Sequence, residues 1–302
     1  MAQMASDTTN IITSVAPQSN QNANSSTTNL LPNRLLLQVR GTEFDLSRDQ
    51  VINLPESILI VMFPNGVILN SNPEYEALLK QDIKTGLERI HQHIVHVDFN
   101  PDMLKYIIDF YQELNKKDGQ TTKDLSYLFG LSPGSSSPFT NKKPFITLRE
   151  ELDYFSIPFS PEGKQELCTK TLNEDSLRLV CKEHLMKNTK IFDAFERNIH
   201  GGSNLAERQL VDMLCLSGFT RQDSWGYRCS EPNRATLVSI SLVPLTSTDE
   251  AMKVGVTQKL LLFWRKPARK CWWDIETIKE EDGELEIKLW SRRIWTLELV
   301  FV

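Results

Sequence analysis

The sequence predicts an α+β protein of two domains, and three observations carry that expectation. The chain has 302 residues, more than a single domain of ordinary size holds. Helix-start signals followed by apolar residues at three- and four-residue steps dominate the first half. Strict apolar/polar alternation dominates the last third, and an antiparallel sheet with flanking helices is the simplest packing for it.

Residues 1–32 are rich in Ser, Thr, Asn and Gln and lack the charged start and apolar stretch of a secretory signal, so they are read as a disordered polar tail. Order is expected from Asn33. Leu35 to Val39 is a β-type run, Arg40-Gly41-Thr42 can turn it, and Phe44 to Leu46 returns, which makes a hairpin. Ser47 with Gln50 has the spacing of a capping box, so a short helix should begin there. Pro55 and Glu56 open a second helix through Ile58, Leu59, Met62 and Phe63, broken at Pro64-Asn65-Gly66. Val67 to Leu69 reads as a short strand, Asn72-Pro73-Glu74 as a helix start and Ile94 to Val97 as another strand.

Asn100-Pro101-Asp102 repeats the start signal, and Leu104, Ile107, Ile108 and Tyr111 then mark one apolar helix face. The polar stretch near 115–144 reads as a flexible insertion. Within Ile146 to Phe155, Leu148, Leu152 and Phe155 have helical spacing, and Ile157-Pro158 ends the segment. These elements make a first domain of residues 33–158.

The second domain, 170–302, opens with Leu172, Leu177, Leu179 and Val180, whose period fits helix and strand alike. Asn204 with Glu207 is a further capping box, for a helix through Leu205, Leu210, Met213 and Leu214 that Gly218 stops. Strands follow: Thr236 to Leu242, then Leu285, Ile287 and Leu289, then Trp295, Leu297, Leu299 and Phe301 alternate with their neighbours.

The formal net charge of -5 offers no basic excess with which to neutralise a phosphate backbone, so nucleic acid is not an expected partner. The longest apolar runs, Ile58 to Phe63 and Leu260 to Trp264, fall well short of the ~20 residues of a membrane-spanning helix. The five cysteines are odd in number and widely spaced, a pattern of reduced thiols in the cytosol or nucleus.

Candidate chemistry is sparse. His91 and His93 would share one face of a strand while His96 points away, and no cysteine completes a tetrahedral set. Cys181 and His184 have the spacing of half a zinc site without a second half nearby, and read as a buried thiol beside a surface imidazole. Neither a phosphate loop, a nucleophile elbow nor an Asp-x-Asp phosphatase motif occurs, so no metal, cofactor or catalysis is expected. The tryptophans are more informative: all six lie between Trp225 and Trp295. Trp272 and Trp273 are adjacent, so in a strand one faces the core and the other outward. Trp264, Trp272, Trp273, Trp290, Arg293 and Trp295 are the candidate protein-contact residues, because tryptophan and arginine anchor interfaces; most of the tryptophans are expected to fill a core instead.

Three ordered segments carry a resemblance. Leu35 to Phe44 with Leu54-Pro55-Glu56-Ser57-Ile58-Leu59 resembles the opening of BTB/POZ domains of the potassium-channel tetramerisation type. Val97 to Tyr111 is similar to that family's helix after its Asp-Pro start, and Leu148 to Ile157 to its closing helix. The Leu-Pro-Glu-Ser-Ile-Leu start, Phe63-Pro64-Asn65-Gly66, Cys271-Trp272-Trp273 and Arg292 to Leu299 further resemble fungal Whi-type growth regulators. That resemblance implies a cytoplasmic, non-catalytic adaptor, able to self-associate through its BTB domain. It would activate a plasma-membrane-anchored phosphatase of the haloacid-dehalogenase type in the general stress response, and restrain TOR signalling when amino acids are low. The alternative it leaves is a BTB substrate adaptor for a cullin ubiquitin ligase.

Overall fold

The computed structural model describes residues 34–66, 94–116, 143–159, 174–195, 205–245, 266–279 and 286–302. The protein is mixed α+β, with two sheets among the described residues, and divides into two compact units, Met1–Leu104 and Lys105–Val302. The strand expected at Val67 to Leu69, the helix start at Asn72, residues 117–142 of the insertion expected near 115–144, the Asn204 cap, His91, His93 and Trp264 lie outside the described residues.

In the first unit β1 (Arg34–Val39) and β2 (Thr42–Ser47) form the expected hairpin, and β3 (Val95–Val97) pairs in parallel with β1 on its other side. The two-residue turn puts Arg40 at φ 45° and Gly41 at φ 87°, the pair of positive values that matches the twist of a tight hairpin. Arg40 holds that geometry by a 2.6 Å ion pair from Nε to Asp98. Leu35, Leu37 and Val39 alternate inward.

The capping box forms as its spacing predicts. Ser47 Oγ accepts from Gln50 N at 3.1 Å, Gln50 Oε1 accepts from Ser47 N at 2.8 Å, and α1 (Arg48–Ile52) begins there. Next comes α2 (Glu56–Met62), which buries Ile58 and Met62. Asn100 likewise caps α3 (Pro101–Lys116) by accepting from Met103 N at 2.9 Å. The division between the units falls within α3, after Leu104.

The second unit is built on a five-stranded antiparallel sheet in the order β5-β6-β4-β8-β7, with β4 (Pro144–Phe159), β5 (Tyr227–Ser230), β6 (Thr236–Pro244), β7 (Ala268–Lys279) and β8 (Glu286–Phe301). Here the structure corrects the sequence reading. Residues 146–155, expected as a helix closing the first domain, are the sheet's central strand, so the third of the BTB-like segments is not helical. The cause is pairing on both sides: β4 is in register with β8 from Pro144↔Phe301 to Phe159↔Glu286 and with β6 from Phe145↔Pro244 to Asp153↔Thr236. The ambiguous residues around Leu177 are helical, in α4 (Glu174–Lys187), and α5 (Leu205–Ser217) ends before Gly218 as expected.

The period of two sorts the sheet into two faces. On the inner face Ile146, Leu148, Trp295, Leu297 and Leu299 pack with Val211 and Leu214 of α5 and with Phe192 and Phe195. Further along the same face Leu152, Tyr154, Leu237, Ile287 and Leu289 pack with Leu177, Cys181 and Leu185 of α4. On the outer face the part of α3 within this unit covers one end, where Phe110 and Tyr111 meet Phe145 with ring centroids 5.3 and 5.4 Å apart. Lys143 Nζ donates to the Leu114 carbonyl at 2.7 Å, a cation at the negative end of that helix.

Candidate functional site

Two arrangements on the sheet stand out, one buried and one exposed. The buried one centres on Glu150, between the two apolar clusters of the inner face, and is fully enclosed. Its Oε1 accepts from Arg228 Nη1 at 2.7 Å, and its Oε2 accepts from Arg293 Nη1 at 2.9 Å and from Trp295 Nε1 at 3.2 Å. Arg228 also donates to Ser239 Oγ and to the Leu185 carbonyl of α4, and Arg293 lies 3.7 Å from Asp274. Burial alone would raise the Glu150 pKa, but the two guanidiniums outweigh it and hold the carboxyl below the usual range. A carboxylate this well hydrogen-bonded and this fully buried ties β4, β5, β8 and α4 together, so its role is structural.

The exposed arrangement lies on the outer face, beyond the end covered by α3. Register places Phe155, Trp290 and Ile275 in one row across three strands, and Asp153, Arg292 and Trp273 in the next. Trp273, Phe155 and Ile275 are 54, 53 and 51% exposed, too much for three large apolar side chains that share a face to be core. The Phe155 and Trp273 rings lie 6.2 Å apart. Trp290 is half-buried between its neighbours. Arg292 fixes the second of these rows by a 2.5 Å ion pair to Asp153, which in turn accepts from Thr236 Oγ1. Arg149 pairs with Glu151, and Arg269 is exposed at the far end of β7's outward line.

The tryptophan and arginine candidates therefore separate. Trp273 is outward and Trp272 inward, as alternation requires; Trp272 is half-buried, with its ring 4.6 Å from Phe195 and 5.5 Å from Trp295. Trp295 and Arg293 are buried at 3 and 4% exposure. The structure brings Trp273 and Trp290 together with Phe155 and Ile275, which the sequence reading did not single out. Ile275 was legible, since it lies two residues from Trp273 on the same side of a strand. Phe155 was hidden by its assignment to a helix. Cys181 is buried and His184 reaches Glu276 at 3.0 Å, while His96 is exposed on β3; among the described residues no group of three or more potential ligands converges on a metal site.

A mixed α+β protein with a bare aromatic sheet face and a buried ionic centre is thus what the chain forms, and comparison with known proteins gives its family. No family model matches the chain. A WHI2-like protein of Schizosaccharomyces pombe is 38% identical over 269 residues, covering 86% of this chain and 85% of the relative. The chain belongs to the WHI2-like family. A growth regulation protein of Saccharomyces cerevisiae is 23% identical, with 84% of this chain and 81% of the relative covered. An uncharacterized protein of Schizosaccharomyces pombe is 27% identical, with 90 and 88% covered. The similarity thus runs through both units. No helix among the described residues is long and apolar enough to cross a membrane.

Proposed function

We propose that this protein is a non-catalytic growth regulator that binds and activates a plasma-membrane-associated phosphatase of the haloacid-dehalogenase type, in the stress and TOR response to scarce amino acids. The observation that carries the reading is membership of the WHI2-like family along most of the chain, together with a relative named for growth regulation. The exposed cluster of Phe155, Trp273 and Ile275 supports it, because aromatic residues held on a rigid sheet suit contact with another protein. In this reading the first unit is a BTB/POZ-type platform for docking or self-association. Its hairpin, the two helices that follow and the parallel third strand support that. The protein acts in the cytoplasm and meets the membrane through its partner.

The test is co-purification of the tagged full-length chain from its source cells, grown with and without amino acids. The expected result is a haloacid-dehalogenase phosphatase in the eluate whose activity rises on addition of the purified protein. Eluates with no such phosphatase under either condition, and unchanged TOR-kinase output in cells lacking the protein, would overturn the proposal.

A further inference from the structure

The outward line of β7 reads Arg269, Cys271, Trp273, Ile275, and its two ends differ in chemistry. At one end Trp273 and Ile275 adjoin Phe155 and Trp290. At the other, Arg269 is exposed and stands two positions across the sheet from Arg149, in the row Arg149, Thr296, Arg269. Two carboxylates of this face are engaged, Asp153 with Arg292 and Glu151 with Arg149. Arg149 and Thr296 of that row are buried, so Arg269 is the charge of the row that solvent reaches.

We propose that the outer face of the second unit receives an extended segment of a partner protein, with apolar side chains over Trp273, Ile275 and Phe155 and an acidic side chain at Arg269. The inference builds on the reading of this chain as a regulator that works by binding, and adds which face binds and the chemistry of what it binds. Strand geometry sets the spacing. Arg269 and Trp273 are four positions apart, about 13 Å at ~3.3 Å per residue, so the acidic residue lies about four positions from the apolar anchor in an extended ligand. A lipid surface fits the face less well. Anionic membranes are recognised by clusters of about 4–8 basic residues, whereas the Arg292 and Lys279 charges here are matched by Asp153 and Glu286. An apolar centre with an ion-paired rim is the composition of a protein interface.

The experiment is a selection from a random peptide library displayed on phage, with the full-length protein as bait. Counter-selection uses the Trp273→Ser/Ile275→Ser variant, whose folding is checked by its melting curve. The expected result is enrichment of peptides that carry an aromatic or aliphatic residue and, about four positions away, Asp or Glu. Their affinity should fall about tenfold or more in the double variant, the loss that defines an interface anchor. Arg269→Glu should favour peptides with Lys at the acidic position. Peptides retained equally by the double variant, enrichment without acidic residues, or Trp273-dependent flotation with phosphatidylcholine/phosphatidylserine vesicles in place of peptide binding would each overturn the proposal. The two readings fail separately: a phosphatase that co-purifies undiminished with the double variant removes this face and leaves the regulator, whereas a chain that selects these peptides but retains no phosphatase removes that partner and leaves the face.

Discussion

Replacing Glu150 with Ala tests whether the buried ionic centre holds the second unit together. The change removes the acceptor of three hydrogen bonds and leaves the guanidiniums of Arg228 and Arg293, 6 and 5% exposed, facing each other without their shared anion. Breaking a buried pair in this way costs about 3–5 kcal/mol. Arg228 keeps Ser239 and the Leu185 carbonyl, and Arg293 keeps Asp274, so a value near the lower end, about 3 kcal/mol, is expected. At ~2–4 °C per kcal/mol for a unit of this size, the melting temperature falls by roughly 10 °C.

Urea unfolding followed by tryptophan fluorescence reads the effect directly, because Trp295 itself donates to Glu150. The pH dependence has a definite sign. A carboxyl held below its usual range stabilises the fold above its unfolded pKa of about 4.3, and that stability is lost as pH falls through the lower folded value. The wild type should therefore lose stability below about pH 4 more steeply than Glu150→Gln. An alanine variant within about 1 kcal/mol of wild type, or parallel acid limbs for wild type and Gln, would refute the argument.

Three further predictions concern other parts of the molecule. Ser47→Ala removes the side chain that accepts from Gln50 N and should cost about 1 kcal/mol, measured by urea unfolding, with Ser47→Asp close to neutral. Gly226→Ala drives a methyl into the Tyr106 hydroxyl, so Tyr106 must leave its stack with Tyr227; a loss of about 1–3 kcal/mol is expected, largely relieved by adding Tyr106→Ala. In native protein iodoacetamide should label exposed Cys271 well before Cys181, which is buried and whose thiol burial pushes up to about 11, as peptide mapping will show. Because the Cys181 folded pKa is the raised one, its contribution to stability is present below about pH 8.5 and is lost as pH climbs toward the folded value.

Three local signals form as their spacing predicts. The Ser47–Gln50 box, the Arg40-Gly41 turn and the Asn100 cap each depend on groups within four residues of one another, and each forms. The alternation of Trp272 and Trp273 was legible for the same reason. β4 was not, because its stretch Leu148-Arg149-Glu150-Glu151-Leu152 joins good helix formers to a three-to-four-residue apolar step. In the strand the inward residues are Ile146, Leu148, Glu150, Leu152 and Tyr154, so one charged residue interrupts an otherwise apolar alternation. What makes that charge acceptable lies 78 and 143 positions away, in Arg228 and Arg293, beyond the reach of any local pattern.

The same parity explains why the family-like segments of the C-terminal half serve two purposes at once. In β8 Arg293 and Trp295 point inward to Glu150, while Trp290 and Arg292 point outward; in β7 Trp272 joins the core and Trp273 the bare face. Adjacent residues of one motif therefore answer to different demands, the inward set to the ionic and apolar core and the outward set to whatever the face meets. A substitution at Trp272, Arg293 or Trp295 disturbs the fold first and binding only as a consequence, whereas one at Trp273 or Ile275 leaves the core contacts intact. Stability measured beside binding, residue by residue along β7 and along β8 from Ile287 to Trp295, should alternate with a period of two, because there one face is packed and the other is bare.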